Sequence, residues 1–333
     1  MIASRGSRQR WWLQTLAAGI GLAVLIGIGG YSLRSKLFPA RFLEYAMPNP
    51  QDAPTAIATA ADGSVWFTID QADSIGRVRA GQIERLPTPG RNFEPLGLAV
   101  GSDASAWYTD LAAGEIVRIT PSGAASRFAL DSPIVRLGRL AIAPDGAAWF
   151  ADATGSSITQ LQAGSFKRHE LASTDGGPYG VAVSAEGTVW ATLQRASQLV
   201  RIEPGGTPQT IDLPRRGSVP TDIAVGADGS VWFLQFRGNR VGQWKAGKFA
   251  DFEVAPQNAG LSGLAVASDG AVWFGMLRSS SLGRLRHGRI DTFRLPRDNA
   301  RPYSVAVDPD GNVWYADISG FVGMLLARYA RGP

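Results

Sequence analysis

Seven tryptophans set the frame of this chain. Trp66, Trp107, Trp149, Trp190, Trp232, Trp273 and Trp314 are separated by 41, 42, 41, 42, 41 and 41 residues, each within one recurring pattern. Ahead of each runs a small apolar segment, as in AIATA, GLAVG, LAIAP, GVAVS, DIAVG, GLAVA and SVAVD. A turn follows, Asp-Gly at 62–63, 145–146, 228–229, 269–270 and 310–311, with Glu186-Gly187 and Asp103-Ala104 as variants. The tryptophan segments are SVWFT, SAWYT, AAWFA, TVWAT, SVWFL, AVWFG and NVWYA. A third segment ends in a polar or basic stretch and Gly (SIGRVRAG, SLGRLRHG), and a fourth often closes in Pro (IERLP, TIDLP, DTFRLP). Alternation at period two between Gly, Pro and Asp marks each segment as a strand. Asp-Gly is a preferred two-residue hairpin turn because it tolerates positive φ.

Four short strands in a unit of about 41 residues are one blade of a β-propeller. The expected fold is therefore all-β, a seven-bladed propeller of four-stranded blades. A β-sandwich would not repeat one frame seven times. The small first strands suit a crowded axis, and the bulky Trp–aromatic pairs suit the space between blades. The seventh repeat stops after a third strand at 321–327, while an orphan segment, FLEYAMP at 42–48, matches the fourth-strand type. The N-terminal strand is thus expected to complete blade seven and close the ring, with the propeller spanning 42–327 and a tail at 328–333.

Residues 11–33, WWLQTLAAGIGLAVLIGIGGYSL, carry no charge. As a helix they would rise roughly 34 Å, enough for a hydrocarbon core of about 30 Å. Trp11, Trp12 and Tyr31 stand where rings favour the membrane interface. A basic tail (1–10) precedes this stretch and a linker (34–41) follows it. Phe38-Pro39-Ala40 lacks the small residue that signal cleavage requires, so a retained single-pass anchor is favoured over a cleaved signal. The short basic N-terminus followed by an apolar helix suggests export, placing the propeller outside the cytoplasm, in the periplasm where an outer membrane exists.

Six basic residues and no acids fall within 1–41, which leaves 27 basic against 28 acidic residues beyond it. The high isoelectric point belongs to the anchor region, and nucleic acid is not an expected partner. Cysteine is absent, so thiolate chemistry, disulfides and cysteine-ligated metals are excluded.

The repeat allows like positions to be compared between blades at the expected functional mouth. Eleven residues before each Trp stand Thr55, Leu96, Gly138, Tyr179, Thr221, Ser262 and Tyr303. Three after it stand Ile69, Asp110, Asp152, Leu193, Gln235, Met276 and Asp317. The frame P-x-G-[IV]-A…DG-x-[VL]-W-F-T…IGR[IVL]…G…F-x-LP resembles the streptogramin B (virginiamycin B) lyase family over about residues 42–327. That resemblance implies a seven-bladed propeller and opening of a cyclic depsipeptide by elimination, with Mg²⁺ and a histidine base. The family's base position falls on Tyr303 and its associated acid on Arg301. A second acid falls on Asp317, and a second histidine on Ser262. Tyrosine, with an ordinary pKa near 10, is a poor base at neutral pH. His169 and His287, the chain's two histidines, fall on an outer strand and a turn, where both are expected to be peripheral and solvated.

Two further constellations arise. Glu94, Asp110, Asp152 and Asp317 offer carboxylates suited to Mg²⁺ or Ca²⁺, or else are loop acids bonded to strand-end amides. Arg301, Tyr303, Tyr179 and Arg139, with Ser262, could line the mouth and hold an anionic or aromatic small molecule, or a protein partner. Two functions remain open: a membrane-tethered propeller that binds at its mouth without the lyase reaction, and an enzyme, either a lyase using Tyr303 or a metal-dependent lactonase.

Overall fold

The structure, a computed structural model, describes residues 42–330 apart from 71, 73, 89–94 and 132–135. These residues form 28 strands in seven four-stranded antiparallel sheets. Six sheets take their strands consecutively, in the order first to fourth. First strands of neighbouring blades pack on one another around the whole ring, including Pro302–Val307 of blade seven on Ala53–Thr59 of blade one. The seventh sheet is completed by Phe42–Ala46, which pairs antiparallel with Phe321–Leu325. The ring is therefore closed by pairing the two ends of the described chain, as the orphan segment suggested. The third strand of blade seven ends at Leu325, earlier than expected, and Ala327–Ala330 form a short helical turn rather than a free tail. Ala330 is buried among Phe293, Val313 and Leu325, which explains why the turn is held. The apolar stretch 11–33 and the linker 34–41 lie outside the described residues. Among those residues no helix is long and apolar enough to cross a membrane.

No single core holds the molecule together. Seven apolar clusters lie one at each blade–blade interface. The period-two geometry of the second strand produces this arrangement. Trp66 points toward blade two while the adjacent Phe67 points toward blade seven. Trp273 and Phe274 divide in the same way between blades seven and five. In four blades the ring after the tryptophan lies flat on a third-strand glycine, in the pairs Phe67↔Gly76, Phe233↔Gly242, Phe274↔Gly283 and Tyr315↔Gly323. A Cβ at Gly283 would fall 2.2 Å from the Phe274 ring, so the glycine of the IGR-type segment is a seat for an aromatic.

Every first strand carries a β-bulge near its N-terminal end, between Pro95 and Leu98, Leu137 and Leu140, Pro178 and Val181, and at the like positions elsewhere. A bulge disrupts the ladder locally and re-aims a side chain. Threonines two residues after the tryptophan satisfy the amides so displaced. Thr68, Thr109 and Thr192 accept from the amides of Ala56, Gly97 and Gly180 at 2.8–2.9 Å. Thr192 also donates to the Thr221 carbonyl of the next blade at 2.6 Å. The bulges thus link neighbouring blades and turn the residues ten and eleven before each Trp toward the axis.

Candidate functional site at the channel mouth

Ten residues before the tryptophan, the bulges present Ala56, Gly97, Arg139, Gly180, Asp222, Gly263 and Ser304. Arg139 and Asp222 are the two charged members, and they meet across the axis over the intervening Gly180. Arg139 Nε lies 3.0 Å from Asp222 Oδ1, with side-chain exposures of 13% and 14%. Nη2 donates to Oδ2 at 3.4 Å. The pair is made side-on, and the buried Nε–H is not aligned with any hydrogen-bond acceptor. Arg139 also donates to the Tyr179 hydroxyl, and its guanidinium lies 6.0 Å from the Tyr303 ring centre. Burial pushes the Tyr179 hydroxyl up to about 12, against the opposing pull of Arg139. Burial lowers the Arg139 pKa, but Asp222 and the two tyrosines outweigh it and leave the guanidinium firmly cationic.

Above this floor opens a cavity of about 380 Å³. Its polar lining comes from Arg139, Tyr179, Gln194, Thr221, Asp222, Ser262, Arg278 and Tyr303, with apolar Phe236 and Leu277 beside exposed Arg278. The four-blade run Tyr179, Thr221, Ser262 and Tyr303 is the frame position eleven before the tryptophan, so the sequence comparison located this wall. Ser262 Oγ donates to the Pro302 carbonyl at 2.6 Å, tying blade six to blade seven beside Tyr303. Arg301 is exposed and not part of the lining. Its amide is held by Asp317 Oδ1 at 2.9 Å. Asp222, the counter-ion of the site, was missed in the sequence. Its signal was available, because it stands ten before Trp232 as Arg139 stands ten before Trp149.

The carboxylates considered as metal ligands are not brought together. Asp110, Asp152 and Asp317 lie in blades two, three and seven, at the buried end of the second strand. Each caps its own turn. Asp110 accepts from the Ala113 amide at 3.2 Å, and Asp152 from the amides of Thr154 and Gly155 at 3.0 and 2.8 Å. Asp317 accepts from the amides of Arg301 and Ser319 and pairs with Arg297. Glu94 lies outside the described residues. Among the described residues no three His, Asp or Glu side chains gather as a metal site, and Asp110, Asp152 and Asp317 do not by themselves form one.

The histidines are absent from the cavity lining. His287 is exposed at the turn after Ser281–Arg286. His169 is not solvated as the sequence suggested, being only 8% exposed. It pairs with Ile158 in the slot that Phe128, Phe252, Phe293 and Tyr45 fill in other blades, and its ring lies tilted against Trp149 at 5.0 Å.

Together the ring and its mouth define a seven-bladed propeller with a polar-floored cavity over the axis. The family described as "Virginiamycin B lyase family" matches residues 39–163 and 124–327, and the chain belongs to it. The virginiamycin B lyase of Nocardia farcinica is 30% identical over 190 residues, 57% of this chain and 65% of that protein's length. A streptogramin B lyase structure superposes with a TM-score of 0.81 at 24% identity, covering 85% of this chain and 96% of that one. A catalytically inactive His-to-Ala variant of the Staphylococcus aureus virginiamycin B lyase with quinupristin also gives 0.81 at 24%, covering 85% and 98%. At that identity the two structures speak to the fold.

Proposed function

We propose that this member of the family binds a small molecule at the channel mouth and does not perform the histidine-dependent elimination. The observation that carries this reading is the Arg139–Asp222 pair under a cavity walled by Tyr179 and Tyr303. A cavity of this size, with apolar Phe236 and Leu277 in its lining and a polar floor, suits a compact ligand with an aromatic body and a hydrogen-bonding head. Tyr303, at the family's base position, serves as a binding surface in this reading. Tyr179 is not a base either, since burial raises its pKa. The uncharged stretch 11–33 supports a retained anchor that holds the propeller outside the cytoplasm. Membrane fractionation with protease protection tests that placement.

A second reading, streptogramin B ring opening, is favoured by family membership and by the lyase relative. One experiment separates the two. The full-length protein is titrated with quinupristin and with phenylacetate, and the quinupristin is then examined by mass spectrometry with and without Mg²⁺. Binding without ring opening, weakened at least about tenfold by Tyr303→Ala, is the expected result. Ring opening establishes the second reading, and binding of neither probe at millimolar concentration overturns the first.

A further inference from the structure

A second cavity, of about 330 Å³, lies between blades three and four on the Asp-Gly-turn side of the ring. It coincides with a substitution within the repeat. Eleven residues after the tryptophan, opposite it in the ladder, blades one, two, four and six place Arg77, Arg118, Arg201 and Arg284. Each guanidinium lies on its tryptophan face, 4.9–5.8 Å from the ring centre. Arg77 then donates to the Pro121 carbonyl of blade two at 2.8 Å, and Arg284 to the Ala330 carbonyl at the end of blade seven. An acid on the fourth strand completes each of these two seats, Glu84 for Arg77 and Asp291 for Arg284.

Blade three has Gln160 in place of the arginine, as blades five and seven have Gln243 and Met324, and the blade-three seat lines the cavity. Its other parts remain. Trp149 and His169 are 5.0 Å apart and inclined by 38°, nearly repeating the 5.1 Å and 44° of Trp273 and Phe293, the rings between which Arg284 is shared. Pro204 lines the cavity at the place in blade four that Pro121 holds in blade two. Around it stand three carboxylates, Asp145, Glu186 and Glu203, the last already paired with Arg201, and one ammonium, that of exposed Lys167. His169 Nε2, buried on this wall, has no hydrogen-bond partner. A neutral imidazole presents one acceptor nitrogen, which a guanidinium N–H can use.

We propose that the groove between blades three and four is a binding site for a guanidinium group, which occupies the place of the missing arginine. The planar cation lies on Trp149 beside His169, and its N–H groups meet the Pro204 carbonyl and the acidic rim. The group can belong to a free guanidinium metabolite or to an arginine side chain of a protein partner.

Titration calorimetry on the full-length protein tests this with N-acetylarginine amide, N-acetyllysine amide and the tripeptide Ala-Arg-Ala. The arginine amide is expected to bind at least about tenfold tighter than the lysine amide. Gln160→Arg supplies the missing side chain in cis, and should weaken arginine binding at least tenfold while keeping or raising the melting temperature. Should that variant fail to fold, Glu186→Gln, at an exposed position, should weaken binding about threefold. Binding of Ala-Arg-Ala assigns the site to a protein's arginine, and binding of the amide without the tripeptide assigns it to a free compound. No heat at millimolar ligand, equal affinity for the lysine amide, or undiminished affinity in folded Gln160→Arg overturns the proposal.

Discussion

Arg139 and Asp222 are 83 residues apart in the chain, yet the bulged geometry of blades three and five brings them face to face. Each depends on the other, because a buried charge without its partner is costly. Asp222→Asn should lower unfolding stability by about 3 kcal/mol, whereas Arg139→Met with Asp222→Leu should recover most of that loss. Urea unfolding of the three proteins checks both statements. His169 makes a different residue-scale prediction. Burial, helped by Lys167, lowers its pKa, so the unfolded chain takes up a proton before the folded one does. Stability should therefore fall as pH drops below about 6.5, the unfolded value, until the lower folded pKa is reached. His169→Phe, which restores the usual aromatic of that slot, should flatten this part of the profile of melting temperature against pH.

Individual strands and turns show how far the sequence could be read. The five Asp-Gly turns and Glu186-Gly187 announced the hairpins, and their six glycines take positive φ of 73–86°. Blade two keeps the same turn with Ala104 at φ 61°, a conformation that costs a side chain about 1–2 kcal/mol. Glycine loses more entropy on folding, so Ala104→Gly should stabilise by about 0.5 kcal/mol, measurable by chemical denaturation. Strands and blade order were legible because period-two alternation and tight turns are local signals. The bulges were not, since each lies within the first few residues of its strand, where too short a stretch precedes it for the break in alternation to show. Counting eleven back from the tryptophans picked out Tyr179, Ser262 and Tyr303, which line one cavity, while Asp222, ten back from Trp232, escaped notice. Of the two readings that the sequence offered for Asp110, Asp152 and Asp317, metal ligands or loop acids bonded to amides, the turn amides of their own blades match the second. His169 looked peripheral because fourth strands are outermost, although its side chain faces the next blade.

At the scale of the whole ring, the joint between Phe42–Ala46 and Phe321–Leu325 is reinforced by side chains from blades six and seven. Glu44 accepts from the Tyr315 hydroxyl at 2.8 Å and pairs with Arg297, which also reaches Asp317. Tyr45 stacks on Trp314 at 6.0 Å. Deleting 42–48 should remove a strand, an aromatic stack and a buried carboxylate together, lowering the melting temperature by on the order of 10 °C. An unchanged melting curve would show that the joint is not needed for stability.

That joint also imposes a schedule on folding. Its two partners stand at opposite ends of the ring, with Phe42 paired to Leu325. During synthesis the closing strand emerges before the first blade and its mate only after blades one to six. Blades one to six can form from local hairpins as they appear, but the circle cannot be sealed until the third strand of blade seven has been made. Until then Phe42–Ala46 is an unpaired strand, an open template for the wrong partner. The tight seat prepared by Tyr315, Arg297 and Trp314 therefore serves as a selective receptor for the chain's own beginning.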